Sequence, residues 1–322
     1  MGAVVQTFMP DPSGDSFAHG RGMSAPDLPP LPRTAVIGLG QMGRGIARRL
    51  EAAGSLAAVC DPAESAMAAA RLGPGVQRTS VAGLASLSDI LLFVVPATSD
   101  IRKSIADAPL RQGQIIVDLT TSDPTESRML AASLDRIGVC YLDAAMTGGA
   151  VAADTGQLTL MAGGPPDVLA RAQPVLDQIA TTVLHLGPVG SGHAMKLVHN
   201  MILHTIFLAT CEGLRLAERA GIDPATAVQV LNAGNARSFV SEVRFPRDIL
   251  SGTMQTRSRI GNLSKDLGLA VDWAEGLAAQ TPFGRLTCDV LTQAMAMGME
   301  DTDFAHLFPQ YVALVTRLES GE

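Results

Sequence analysis

A chain of 322 residues, 47% hydrophobic and with a formal net charge of -7, is not a very small, highly charged domain and has room for two domains with separate cores. The acidic balance and scattered arginines offer no basic field, so neither nucleic acid nor a membrane surface is expected as a partner. Residues 1–32 carry six prolines and few large aliphatic side chains, the composition of a disordered Pro-rich tail. Asp11 and Asp15 stand where a secretory signal would need its apolar core, and Met23 is an alternative start. Cys60, Cys140, Cys211 and Cys288 are far apart in apolar runs without metal-ligand spacing. They are expected to be buried, reduced thiols of a cytoplasmic protein with no bound metal.

Along the chain, Thr34–Ile37 predicts a strand, Gly38–Gly43 a glycine turn, and the stretch through Leu50 a helix closed by Gly54. A second strand, Leu56–Cys60, ends at Asp61, with Pro62 expected to open the next helix. Ile90–Val95 and Gln114–Asp118 read as all-apolar strands, and Val139–Leu142, Gln157–Met161 and Val183–Leu186 as later ones. Apolar strands alternating with helices predict a parallel sheet covered on both faces. From Gly190 onward the pattern is helical: about 193–220, then Asp223-Pro224 to Gly234, then stretches near 240–250, 262–279, 283–297 and 303–318. The expected fold class is α/β, with a doubly wound Rossmann sheet over 33–190 followed by an all-α domain over 191–322. The charge-free run Leu197–Cys211 is shorter than the ~18 apolar residues that a membrane span requires.

Gly38-x-Gly40-x-x-Gly43 lies between a strand and a helix, where a dinucleotide site needs it. Gly38 permits the tight turn, Gly40 a close backbone approach to the pyrophosphate, and Gly43 close helix–strand packing. Leu39, Gln41 and Met42 belong to the same turn. Asp61, 18 residues after Gly43, is placed to accept the adenosine ribose hydroxyls and to repel a 2'-phosphate, favouring NAD. Arg44 could serve a 2'-phosphate, so NADP stays open. Thr147-Gly148-Gly149 offers a hydroxyl beside exposed backbone N–H groups, either a carboxylate cradle or an ordinary turn.

The richest stretch runs from Gly187 to Asn200. Lys196, His199 and Asn200, at i, i+3 and i+4, share one helical face, with His204 one turn on. Only three lysines occur against 21 arginines, so Lys196 on an apolar helix calls for a reason. A positioned ammonium can hand a proton to the oxygen of a carbonyl under reduction, with an Asn amide orienting that oxygen. The positive end of the helix dipole and desolvation would both lower the lysine pKa, and no acidic partner sits at helical spacing. His199 and His204 are either hydrogen-bonded core histidines or substrate contacts. Lys265-Asp266 is either a solvated pair or a pair that reaches the cleft.

Gly38-Leu-Gly-Gln-Met-Gly43, Asp143-Ala-Ala-Met-Thr-Gly-Gly149, Gly190-Ser-Gly-His-Ala-Met-Lys196 to Asn200, and Lys265-Asp-Leu267 resemble, in order, the four signatures of the β-hydroxyacid dehydrogenases. The resemblance covers residue 33 to the C-terminus. It implies hydride transfer between a nicotinamide cofactor and a small 3-hydroxy acid, of a 3-hydroxyisobutyrate-like, glycerate-like or sugar-acid type, in a homodimer or homotetramer. It makes Lys196 the general acid/base, Asn200 its orienting neighbour, and Thr147, Gly148 and Gly149 the substrate cradle. It brings Val95, Pro96, Thr98 and Lys265 to the cofactor and Thr121 to the substrate site. Where most members have proline and serine in the cradle, this chain has Ala145 and Thr147. His199 is similar to the residue of the 6-phosphogluconate enzyme at that place, and His204 stands where that enzyme contacts phosphate through a tyrosine. Imine reductases of similar architecture generally carry Asp or Tyr in place of Lys196. That activity, and a cofactor-holding module without turnover, are the alternatives.

Overall fold

The computed structural model describes residues 30–320, so nearly all of the Pro-rich tail expected over 1–32 lies outside the described residues. The strand β1 (Thr34–Ile37) is followed by α1 (Gln41–Ala52), β2 (Leu56–Cys60), α2 (Glu64–Ala69), β3 (Gln77–Arg78), α3 (Val81–Leu87), β4 (Ile90–Phe93) and α4 (Thr98–Ile105). Then come β5 (Ile115–Asp118), α5 (Pro124–Asp135), β6 (Cys140–Thr147), α6 (Gly149–Thr155), β7 (Leu158–Gly163), α7 (Pro166–Leu176) and β8 (Ala180–Gly187). The eight strands form one sheet in the order β3-β2-β1-β4-β5-β6-β7-β8.

Alternate residues of each strand feed opposite faces, as the period of two requires. Ile90 and Leu92 of β4 pack with α1 and α7, whereas Leu91 and Phe93 pack with α3, α4 and α5. The Rossmann-type arrangement is therefore as expected, with two differences. The sheet is not wholly parallel, because β6 and β7 run antiparallel. The segment Asp143–Thr147, read as following a strand, is the second half of β6, because its alternating residues extend the ladder to β7. The two-residue β3 is too short to leave an apolar signature. Pro62 lies outside α2, whose N-cap is Ala63, because the Asp61 carboxylate accepts the Ala63 N–H at 2.8 Å and holds Pro62 in the preceding turn.

Beyond the sheet run α8 (Ser191–Arg219), α9 (Pro224–Ala233), a π-helix (Val240–Leu250), α10 (Ile260–Gly276), α11 (Pro282–Ala296), a 3-10 turn (Phe304–His306) and α12 (Leu307–Ser320). Asp223 caps α9 by accepting the Thr226 N–H at 3.0 Å. Phe207, Leu214, Phe245, Leu267, Leu291 and Phe308 belong to a separate core among these helices. At 29 residues α8 is, among the described residues, the one helix long and apolar enough to cross a membrane, which corrects the length argument made from its charge-free run. It packs against β6, β7, α5, α10, α11 and α12, the environment of a central core helix. The four cysteines are free, but only Cys211 is fully buried; Cys60, Cys140 and Cys288 are half-buried.

The start of α8 is pressed onto the sheet. A Cβ added at Gly192 would lie 2.2 Å from the Met161 carbonyl oxygen and 2.9 Å from the Asp143 carboxylate. Gly192→Ala is therefore expected to destabilise the fold by about 1–3 kcal/mol and to lower Tm by at least about 2 °C, measurable by thermal unfolding.

Candidate active site

Asp143, fully buried in β6, holds the end of α8 in place. Its Oδ1 accepts the Gly190 N–H at 2.7 Å and its Oδ2 the His193 N–H at 3.0 Å. A carboxylate thus supplies from another element the cap that α8 lacks, since Gly190 has no side chain to cap with. Burial pushes the Asp143 pKa up against the charge of His193 and these backbone donors.

Beside it lies a second buried carboxylate. Asp118, at the end of β5, accepts the hydroxyls of Thr98 and Tyr141, each at 2.7 Å, and the Thr120 N–H at 2.9 Å. Burial, with Asp118 alongside, pushes the Tyr141 phenol well up. His193 is fully buried, bonds Ser127 through Nδ1 at 2.6 Å, and brings Nε2 to 3.6 Å from Asp118. These groups sit under the site and fix its frame. The expected cofactor contact Thr98 is one of them: its hydroxyl is committed to Asp118 and its N–H to Ser122 at 3.0 Å.

Lys196 lies in the second turn of α8, not the first. Burial lowers its pKa to about 8, with Asp266 opposing that shift and Lys265 assisting it. Among the described residues no hydrogen bond or ion pair engages its ammonium. The acidic neighbour missing at helical spacing comes from α10. Asp266 accepts the Asn200 Nδ2 at 2.7 Å and pairs with Lys265 at 3.1 Å. Asn200 in turn receives the His199 Nδ1 at 3.1 Å, which makes Nδ1 the protonated nitrogen of a neutral imidazole. Burial lowers the His199 pKa. His204 is buried in a T-shaped pair with Phe304, 6.4 Å between centroids, and burial lowers its pKa to about 3. It is a neutral ring.

Lys265 ties this cluster to the sheet. Its Nζ donates to the carbonyls of Pro96, 3.1 Å, and Thr121, 2.9 Å, in the loops after β4 and β5. The loop after β4 also abuts the glycine turn, for a Cβ at Gly38 would meet the Val94 carbonyl oxygen at 2.2 Å. Gly38, Val95, Pro96, Thr121, Lys265, Asp266 and Asn200 thus lie along one line of contacts. Thr147 ends β6, and Gly148 and Gly149, both with positive φ and exposed, open α6.

The glycine turn fits a dinucleotide phosphate. Gly38 has φ +92°, and a Cβ at Gly43 would lie 1.8 Å from the Gly38 carbonyl oxygen, whereas nothing lies within 4 Å of one at Gly40. The N-terminus of α1 has no side-chain cap, leaving its N–H groups for an anion. Leu39 is buried in the core and Met42 packs against it, so only their backbone faces the turn; Gln41 is exposed. Asp61 Oδ2 accepts the Leu39 N–H at 2.6 Å, holding the carboxylate beside that turn.

Two family models match the chain in tandem: the NAD binding domain of 6-phosphogluconate dehydrogenase over residues 33–187, and the NAD-binding domain of NADP-dependent 3-hydroxyisobutyrate dehydrogenase over 190–311. Human mitochondrial 3-hydroxyisobutyrate dehydrogenase is 29% identical over 308 residues, 92% of this chain and 91% of that protein. A Mycobacterium bovis protein named "Probable 3-hydroxyisobutyrate dehydrogenase" is 30% identical over 280 residues, 84% of this chain and 95% of its own. The chain belongs to the β-hydroxyacid dehydrogenase family. A solved structure of Mycobacterium tuberculosis 3-hydroxyisobutyrate dehydrogenase with L-serine superposes with a TM-score of 0.80 at 27% identity, covering 87% of this chain and 99% of that one. Membership makes the protein an oxidoreductase with a nicotinamide dinucleotide cofactor.

The Lys265-Asp266 pair was legible along the chain, but its bond to Asn200, His193 and the Asp118–Tyr141 pair were not. Asp266 carried a signal, its adjacency to Lys265; the buried pair did not, because Asp118 looks like any strand-ending aspartate. A partnerless ammonium in a buried site destabilises the fold at pH 7, below its pKa of about 8. Lys196→Met is accordingly expected to raise stability by about 1–3 kcal/mol at pH 7. The sign follows from the depressed folded pKa: wild-type stability rises with pH from about 8 towards the unfolded lysine value, so the difference should shrink in denaturant titrations above pH 8.

Proposed function

We propose that the protein catalyses reversible oxidation of a small 3-hydroxy acid to its semialdehyde, with Lys196 as general acid/base and NAD as the preferred cofactor. The observation that carries this reading is the Lys196 amine, unpaired among the described residues and with a pKa lowered to about 8, beside an amide held by Asp266. In oxidation the neutral amine accepts the proton of the substrate hydroxyl; in reduction the ammonium returns it to the carbonyl oxygen. One Asn200 N–H is engaged by Asp266, so the other is left to orient that oxygen. The Thr147 hydroxyl and the N–H groups of Gly148 and Gly149 receive the substrate carboxylate. The nicotinamide, when bound, supplies the hydride acceptor.

For the cofactor, Gly38, Gly40 and Gly43 cradle the pyrophosphate, and Asp61 meets the adenosine ribose. Its two oxygens accept the Leu39 and Ala63 N–H groups, which orients the carboxylate and leaves lone pairs for the ribose hydroxyls while repelling a 2'-phosphate. An amine at position 196 argues against imine reduction and against a module without turnover. The exposed apolar side chains Phe283 and Leu286 on α11 support a homodimer or homotetramer.

Lys196→Ala is expected to lower kcat/KM by about 100- to 10,000-fold. The wild-type oxidation rate should rise as pH passes through about 8 and the reduction rate should fall, and the variant should lose both limbs. Near-normal turnover in the variant would overturn the mechanism. Asp61→Ala should shrink the ratio of NAD to NADP efficiency by at least about tenfold, and an unchanged ratio would show that Asp61 does not read the ribose.

A further inference from the structure

Four buried side chains from four different elements meet beneath the site: Asp118 of β5, Ser127 of α5, Tyr141 of β6 and His193 of α8. Their hydrogens follow from the contacts. Asp118 Oδ2 takes the hydroxyls of Thr98 and Tyr141 and its Oδ1 the Thr120 N–H, so the carboxylate accepts throughout. Ser127 directs its one hydrogen to the Asp123 carbonyl at 3.1 Å, which makes His193 Nδ1 the donor in their 2.6 Å contact. Nε2 is sealed from solvent, has no hydrogen-bond partner among the described residues, and faces Asp118 Oδ1 at 3.6 Å. A lone pair on Nε2 would meet the lone pairs of that oxygen. Nε2 therefore carries a hydrogen as well, and the ring stands as an imidazolium beside a carboxylate.

Through this pair α8 reaches the loops at the end of the sheet. The His193 N–H is held by Asp143, its ring faces Asp118, and Lys196 follows three residues later on the same helix. Asp118 grips the chain beyond β4 at the Thr98 hydroxyl and the chain beyond β5 at the Thr120 N–H. Lys265 holds the same two loops at the carbonyls of Pro96 and Thr121. The strand order turns at β1, between β2 and β4, and a dinucleotide lies across such a point. With the glycine turn after β1 and Asp61 after β2, the loops after β4 and β5 are the flank left for the nicotinamide half.

We propose that His193 is a positioning residue for the nicotinamide end of the cofactor: through its ion pair with Asp118 it sets the loops after β4 and β5 against the helix that carries Lys196. Asp143 fixes the helix end to the sheet, and His193 adds the register between those loops and Lys196. The inference rests on the nicotinamide dinucleotide that family membership supplies and on no particular hydroxy acid.

Two nearly isosteric variants separate this role from packing. His193→Gln retains an N–H that reaches towards Asp118, whereas His193→Asn retains only the donor near Ser127. Calorimetry compares the affinity for the preferred reduced dinucleotide, NADH or NADPH, with that for the matching fragment without nicotinamide, ADP-ribose or its 2'-phosphate. His193→Asn is expected to weaken the dinucleotide by at least about tenfold while the fragment stays within about twofold, and His193→Gln to recover most of the loss. Equal losses for both ligands would reduce His193 to a support of the helix end and overturn the proposal. Unchanged dinucleotide binding in folded His193→Asn, or a Gln variant as weak as the Asn variant, would overturn it too. Should neither variant fold, ring nitrogen NMR of the wild-type protein decides: a sealed histidine with hydrogen on both nitrogens supports the ion pair, and its absence removes it. Because no hydroxy acid is used and either dinucleotide serves, a wrong substrate or a wrong NAD preference leaves these outcomes unchanged.

Discussion

The capping of α8 by Asp143 is the contact on which the arrangement of the site depends. A 29-residue helix leaves its first N–H groups without intrahelical partners, and here a strand residue satisfies two of them. Because Asp143 belongs to β6 and Gly192 admits the Met161 carbonyl at a distance that no side chain allows, the helix is fixed to the sheet in both translation and rotation. Rotation matters most: a slip of one residue would turn Lys196 by about 100° away from its present face. A carboxylate whose pKa is raised by burial persists because it is bonded on both oxygens, and its replacement would strand two donors as well as a helix end.

The charge balance around Lys196 follows from that placement. Desolvation is the largest influence and lowers the pKa, Asp266 works against it, and Lys265 works with it. Asp266 does not neutralise Lys196 fully because it is shared: Asn200 and Lys265 both engage it. Lys265 in turn is directed to the carbonyls of Pro96 and Thr121, which draws the α10 pair towards the sheet. One carboxylate among three polar neighbours leaves burial the dominant influence on the amine.

Much of this was legible from residue patterns, and the exceptions have a common physical origin. Strands β1, β2, β4 and β5 are apolar runs, and the helices after Gly190 have caps and periodicity, so local chemistry was enough to find them. The positive φ of Gly38 and the close packing at Gly43 likewise follow from what a glycine turn must do. The antiparallel pairing of β6 with β7 could not be read, since neighbours along the chain can pair in either direction. Asp266 beside Asn200, and Arg244 beside Phe304, are juxtapositions between residues 66 and 60 positions apart, invisible to any spacing rule. Thr98, expected at the cofactor, bonds Asp118 through its hydroxyl, a contact that no local sequence signals.

The α8 helix orders the site by depth. Its first turn is bound to Asp143, its second carries Lys196, its third Asn200, and its fourth holds His204 against Phe304. Since each turn advances about 5.4 Å, the anchored end, Lys196 and His204 are spaced along one rigid rod. A lone neutral imidazole with a pKa of about 3 would be an ordinary core residue. What distinguishes this position is that the Phe304 ring beside it also carries a guanidinium whose carboxylate is already occupied by Arg247.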